Sequence, residues 1–166
     1  RKYSLEHLKL EYPVYGTSDY RNPAVEILQE NGSRISEFKY VSHDITDGKP
    51  ELAGLPATYV EKSEEAQTLC LRLKDEVTGI VLELLYSIFF GKGILARSAR
   101  FINEGTAPVH LLNAMSLSLD LPDSDYVWMQ FSGAWARERH IIERKLEQGI
   151  QAVGSIRGNS SHEHNP

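Results

Sequence analysis

The sequence has almost no cysteine, no long apolar run and no excess of positive charge. Cys70 is the only cysteine among 166 residues, so an internal disulfide is impossible and a reducing compartment is favoured. The longest apolar run, residues 80–90, is too short to span a membrane and is interrupted by Glu83 and Ser87. The net charge of −5 argues against a nucleic-acid-binding face. These absences predict a cytoplasmic domain with neither a membrane nor a nucleic acid as partner.

Helical periodicity is scarce as well, and the alternation typical of strands takes its place. Leu69, Leu71 and Leu73 alternate with polar residues and predict a half-buried strand. Residues 80–90 are apolar on both faces, as expected of an inner strand covered on both sides. Further strands are predicted at residues 25–28, 34–41, 94–101, 109–119, 126–131, 139–146 and 150–156. Short strands with regular turns predict an all-β, antiparallel β-sandwich.

Glycine and proline mark the expected connections between these strands. Asn31-Gly32 lies between two of the predicted strands and indicates a hairpin that pairs residues 25–28 with residues 34–41. Two glycines and two prolines between residues 41 and 59 predict a long loop.

One stretch combines a tight turn, a large aromatic and dense charge: Ser-Gly-Ala-Trp-Ala-Arg-Glu-Arg-His, residues 132–140. The small residues on either side of Trp135 leave its indole room to stand clear of its neighbours. The four charged or polar residues that follow supply hydrogen-bond donors and an acceptor. A sugar packs its C–H faces on an aromatic ring while its hydroxyls seek polar partners, so this stretch suits a carbohydrate contact. A core tryptophan with a solvated charged edge is the alternative.

Residues 132–140 resemble a signature of the N-terminal domain of family 36 glycoside hydrolases, the bacterial α-galactosidases. Three other stretches resemble the same family in the same order: Leu10-Glu-Tyr-Pro-Val-Tyr-Gly-Thr-Ser-Asp-Tyr-Arg-Asn-Pro-Ala24, Gly54-Leu-Pro-Ala-Thr-Tyr-Val60 and Ser155-Ile-Arg-Gly-Asn-Ser-Ser-His-Glu-His-Asn-Pro166. The resemblance implies that residues 1–157 are part of a β-supersandwich domain. It also implies that residues 158–166 connect this domain towards a (β/α)8 catalytic barrel.

The same resemblance implies a function in the bacterial cytoplasm. The parent enzyme would hydrolyse terminal α-galactosides of the melibiose or raffinose type, and this domain would support the substrate pocket and the oligomer. Trp135 would form an aromatic wall near the galactose-binding end of the pocket, while Arg137, Glu138 and Arg139 would fix that loop against the barrel or a neighbouring subunit. The expected partners are therefore the barrel, the galactoside and further copies of the chain. A free-standing carbohydrate-binding module or a purely structural sandwich is the alternative.

No residue of the chain is assigned a catalytic role. The densest carboxylate cluster, Asp120, Asp123 and Asp125, surrounds Pro122 and Ser124, and turn formation explains it better than glycoside hydrolysis does. His162 and His164 lie in a polar segment with no further clustered ligand, so neither a metal nor a cofactor is predicted. The resemblance implies that the catalytic pair of aspartates belongs to the barrel.

Overall fold

The structure is a computed structural model that describes residues 7–16, 20–54 and 57–154. The chain divides into two compact units, Arg1–Asp120 and Leu121–Pro166. The strands are β1 Val25–Leu28, β2 Lys39–Asp47, β3 Ala66–Lys74, β4 Ile80–Phe89, β5 Ile94–Asn103, β6 His110–Ala114, β7 Val127–Ala134 and β8 Arg137–Lys145. A short 3₁₀ turn, Ser63–Glu65, precedes β3.

Four consecutive strands form an antiparallel sheet in the order β2-β3-β4-β5. The order makes β4 an inner strand, and its first five residues, Ile80–Leu84, are all buried. An inner strand covered on both faces is what the apolar pattern of residues 80–90 predicted. The strand β2 lies at the edge of the sheet, and all nine of its residues are exposed.

The strands β1 and β6 pair antiparallel and form a second sheet in the same unit. Val25 and Ile27 of β1 form a buried cluster with Ile80 of β4. Five partly buried side chains pack against this cluster: Tyr12, Val14, Phe38, Phe101 and Val109. The core therefore lies between two antiparallel sheets, and the predicted all-β, antiparallel sandwich is confirmed.

In the second unit, β7 and β8 form a hairpin whose register pairs Val127 with Lys145 and Phe131 with Ile141. The amide of Leu146 donates to the carbonyl of Tyr126 at 3.0 Å, an ordinary length for a backbone hydrogen bond. This bond extends the pairing of the two strands beyond β8.

The predicted hairpin between residues 25–28 and 34–41 is wrong. Asn31-Gly32 does form a turn, closed by the amide of Gly32 on the carbonyl of Gln29 at 2.9 Å. However, residues 33–38 form no strand, and β1 pairs with β6 instead. The backbone hydrogen bonds of β1 are made with a strand more than eighty residues away in sequence. A local turn signal does not specify such a distant pairing.

Three larger differences also separate the observed strands from the predicted ones. The strand β2 extends to Asp47, into the predicted loop, because its residues pair with β3 along the sheet edge. The predicted strand at 109–119 ends at Ala114, since the hydroxyl of Tyr12 donates to the carbonyl of Met115 at 2.7 Å and Arg97 donates to the carbonyl of Ser118 at 3.4 Å. Residues 150–154 form no strand, and residues 155 and 156 lie outside the described ranges.

Among the residues that the structure describes, no helix is long and apolar enough to cross a membrane.

Candidate functional site

Trp135 lies at the tip of the β7–β8 hairpin. Ala134 pairs with Arg137, which leaves Trp135 and Ala136 as the two residues of the turn. The Trp135 side chain is 86% exposed, so the indole does not fill a core. An exposed ring at a hairpin tip has the accessibility that the predicted sugar contact requires. The contact itself stays a prediction.

The backbone around this turn is unusual. Ala136 has φ 63° and Arg139 has φ 61°, and they are the only non-glycine residues with positive φ in the described part of the chain. Side chains with a Cβ are disfavoured in this region, and backbone outliers of this kind concentrate at functional sites. The sequence-based prediction of a turn at Gly133 missed both, because neither alanine nor arginine signals a left-handed conformation.

A β-bulge lies just below the turn. Ser132 pairs with His140 and Ala134 pairs with Arg137, so Glu138 and Arg139 together face the single residue Gly133. A Cβ at position 133 would stand 2.1 Å from the carbonyl oxygen of Arg137, which only glycine permits. Bulges bend a strand and redirect its side chains, often beside functional sites.

The charged residues of the turn take different positions. A carboxylate oxygen of Glu138 accepts a hydrogen bond from the amide of Ala136 at 2.8 Å, and Glu138 is half-buried. Arg137 and Arg139 are exposed, and neither makes an ion pair or a side-chain hydrogen bond with any described residue. Both guanidinium groups are therefore available to a surface outside this chain, whereas Glu138 supports the turn itself.

The structure exposes two further aromatic residues that the sequence reasoning did not single out. Tyr20 is 89% exposed and Tyr59 is 75% exposed. Both belong to the stretches that resemble the family, residues 10–24 and 54–60. The position of each tyrosine inside such a stretch was the available signal.

The three clustered aspartates have structural roles. Asp120 accepts from the guanidinium of Arg21 and from the amide of Leu10. Asp123 accepts from the amide of Ser124 at 2.6 Å, as turn-forming aspartates do. Asp125 forms an ion pair with Lys145 at 2.9 Å. These partners account for the carboxylates without a catalytic role.

The residues that the structure describes offer neither a reactive thiol nor a metal site. Burial raises the pKa of the half-buried Cys70, and the nearby Glu83 carboxylate raises it further, which keeps the thiol protonated. No group of three or more His, Cys, Asp or Glu side chains is placed to hold a metal ion in the described ranges. His162 and His164 lie outside those ranges.

The first unit is thus an antiparallel β-sandwich, and the second exposes an aromatic side chain at the tip of a hairpin. The family model described as the glycosyl hydrolase family 36 N-terminal domain matches residues 1–166, and the chain belongs to this family.

The relatives of the chain are α-galactosidases. The α-galactosidase AgaA of Geobacillus stearothermophilus is 47% identical over 166 residues, which are 100% of this chain and 23% of that protein. Its crystal structure matches 99% of the chain with a TM-score of 0.94 and again 23% of that structure's chain. The α-galactosidase 2 of Hypocrea jecorina is 39% identical over 156 residues, 94% of this chain and 21% of that protein. The chain thus spans less than a quarter of the length of these relatives, in the part that corresponds to their N-terminal domain.

Proposed function

We propose that the chain is the N-terminal domain of an α-galactosidase and that Trp135 forms part of the wall of its galactoside pocket. The remainder of that pocket, including its catalytic carboxylates, would belong to a (β/α)8 barrel in the same polypeptide. Residues 1–157 would form the domain and residues 158–166 the connector towards the barrel.

The relatives support a galactoside as the ligand. Variants of the Geobacillus enzyme AgaA have been crystallised with raffinose and with stachyose. Both are oligosaccharides with a terminal α-galactoside, whose C–H faces can pack on an aromatic ring. The observation that carries the role of Trp135 is its 86% exposure on a turn with two left-handed non-glycine residues, since a ring that only filled space would be buried.

Arg137 and Arg139 would fix the turn against the barrel or a neighbouring subunit of a homo-oligomer. Both arginines are exposed, and neither forms an ion pair with any of the described residues. Arginine binds carboxylates in a planar, two-pronged geometry, so an acidic surface on the barrel or on a second copy is the expected counterpart.

The test is a pair of substitutions in the full-length protein that carries this chain. Trp135→Ala should raise the KM for an aryl α-galactoside about fivefold to tenfold, because a lost aromatic contact is worth about 1 to 1.4 kcal/mol. Trp135→Phe should recover part of the loss, since a smaller ring still offers an apolar face. The melting temperature should stay within about 2 °C of the parent protein, as is usual for an exposed side chain.

Ile150→Ala is the matched control, because Ile150 is equally exposed in the same unit but lies outside the turn. It should leave KM unchanged. An unchanged KM in Trp135→Ala, or an early melting transition with normal kinetic constants, would contradict the binding role.

A free-standing carbohydrate-binding module is the second candidate. The exposure of Tyr20 and Tyr59 favours it, because such modules bind sugars on exposed aromatic rings. Calorimetry with raffinose and the purified 166-residue chain separates the two functions. Binding by the chain alone favours the module, whereas binding only by the full-length protein favours a shared pocket.

A further inference from the structure

We propose that Glu138 is a positioning residue that holds the Trp135 indole ready for its ligand by bonding the amide of Ala136. The inference rests on the function proposed for Trp135. It assigns to Glu138 an action within the turn itself, rather than against a neighbouring domain.

The first step is the conformation of Ala136. Its φ of 63° lies in the left-handed region that glycine adopts freely and alanine does not. An alanine stays in this region only when its surroundings hold it there. The Ala136 amide provides the point of attachment, since it donates to a Glu138 carboxylate oxygen at 2.8 Å.

The second step is how the carboxylate reaches that amide. The bulge places Glu138 and Arg139 opposite Gly133, and Arg139 takes the second left-handed conformation. The missing side chain of Gly133 lets the carbonyl of Arg137 come close beneath the turn. From its position in the bulge, the Glu138 carboxylate reaches the amide of Ala136 in the turn. Glu138 is half-buried, whereas both adjacent arginines are exposed.

The third step is the choice of partner. Arg137 and Arg139 flank Glu138 and are the obvious ion-pair partners for its carboxylate. In the described part of the chain, neither guanidinium pairs with it. The carboxylate accepts from a backbone amide instead, a charge-assisted hydrogen bond that is stronger than one between two neutral groups.

The last step connects this bond to the ligand. The amide of Ala136 belongs to the peptide group that joins it to Trp135, so fixing that amide fixes the orientation of the Trp135 backbone. With its backbone fixed, the Trp135 residue has fewer conformations to lose when the sugar binds. Glu138 would therefore affect affinity for the galactoside without touching it.

The experiment compares Glu138→Ala with Glu138→Gln in the full-length protein. Glutamine keeps a side-chain oxygen that can accept from the Ala136 amide, whereas alanine has none. We expect Glu138→Ala to raise the KM for an aryl α-galactoside about fivefold with little change in kcat or melting temperature. Glu138→Gln should stay within about twofold of the parent KM, a pattern that isolates the acceptor from the charge.

A double-substitution cycle with Trp135→Ala tests the route of the effect. If Glu138 acts through Trp135, then adding Glu138→Ala to Trp135→Ala should not raise KM any further. A further rise of fivefold in that background would overturn the proposal, as would an equal loss in Glu138→Gln and Glu138→Ala.

Fluorine nuclear magnetic resonance of fluorotryptophan-labelled full-length protein separates this inference from the proposed function. The Trp135 signal is assigned by its absence in Trp135→Ala. Glu138→Ala should shift and broaden that signal, and Glu138→Gln should not. A normal KM in Trp135→Ala would refute the pocket role alone, whereas an unchanged Trp135 signal in Glu138→Ala would refute the positioning role.

Discussion

The guanidinium of Arg144 lies over the indole of Trp128, with its Cζ atom 5.2 Å from the ring centroid. The two residues face each other across β7 and β8 in the sheet register. Trp128 is half-buried, whereas Trp135 on the same hairpin is almost fully exposed. The two tryptophans therefore have different surroundings, since the Trp128 ring packs against Arg144 within the hairpin and the Trp135 ring is exposed.

Trp128→Ala should destabilise the hairpin by about 2 kcal/mol. A fully buried Trp→Ala change costs about 3–5 kcal/mol, and half-burial reduces that figure while the lost cation–π contact adds to it. Arg144→Ala should cost about 0.5–1 kcal/mol, the range of an exposed cation–π pair. Urea denaturation followed by far-ultraviolet circular dichroism measures both, and Trp135→Ala is the control that should show almost no change. Equal losses for the two tryptophans would contradict the distinction.

Glu83 is a buried carboxylate held between two arginines on neighbouring strands. Its oxygens accept from Arg72 at 2.8 Å and from the Nε of Arg100 at 2.7 Å. Arg100 is largely exposed and Arg72 is half-buried, so only the carboxylate is fully removed from water. The cost of breaking this cluster should therefore depend on which partner is removed.

The double substitution of Arg72→Met and Arg100→Met should cost about 3 kcal/mol, because it leaves a buried charge without a partner. Glu83→Gln should cost about 1 kcal/mol or less, since both arginines can then return to solvent. The midpoints of urea unfolding give the comparison. A larger loss of unfolding free energy in Glu83→Gln than in the double variant would contradict this explanation, because it would mean that the unpaired arginines destabilise the fold more than the unpaired carboxylate does.

The free energy of unfolding should decrease at high pH because of the ionisation of Tyr86. Burial raises the pKa of its phenol, and the hydrogen bond from its hydroxyl to Glu11 at 2.7 Å raises that pKa further. The folded state therefore favours the neutral phenol. This contribution is complete below the unfolded pKa of about 10 and is lost as the pH rises above it.

Tyr86→Phe isolates this effect from the other tyrosines. The variant should be less stable than the parent chain at pH 8, and the difference in unfolding free energy should shrink between about pH 10 and pH 12. Denaturation curves at a series of pH values provide the measurement. A difference that stays constant across that range would mean that the phenol does not titrate with unfolding.

The 166-residue chain should show no glycosidase activity by itself. The carboxylates of its densest acidic cluster, Asp120, Asp123 and Asp125, bind turn amides, Arg21 and Lys145, so we do not expect this cluster to act on a glycosidic bond. Release of nitrophenol from an aryl α-galactoside by the purified chain is the assay. Turnover that disappears in Asp123→Asn or Asp125→Asn would overturn the assignment of these residues to structure.

Part of the fold was open to prediction because its signals are local. The strand β3 is indicated by the alternation of Leu69, Leu71 and Leu73, and β4 by its apolar run. Both patterns can be recognised from residues that are adjacent in sequence. The turn between β3 and β4 is equally local, since the carboxylate of Asp75 accepts from the amides of Val77 and Thr78. The four motifs likewise pointed to the family that the whole chain matches.

Strand pairing and the shape of the Trp135 turn were decided only by the tertiary structure. The pairing of β1 with β6 and the end of β6 at Ala114 depend on hydrogen bonds between residues far apart in sequence. The hydrophobic periodicity of a single segment does not predict such bonds. The sequence identified Trp135 and its charged neighbours, but not the left-handed Ala136 and Arg139. These residues hold conformations against their intrinsic preference, because the bulge opposite Gly133 and the Glu138 carboxylate together outweigh it.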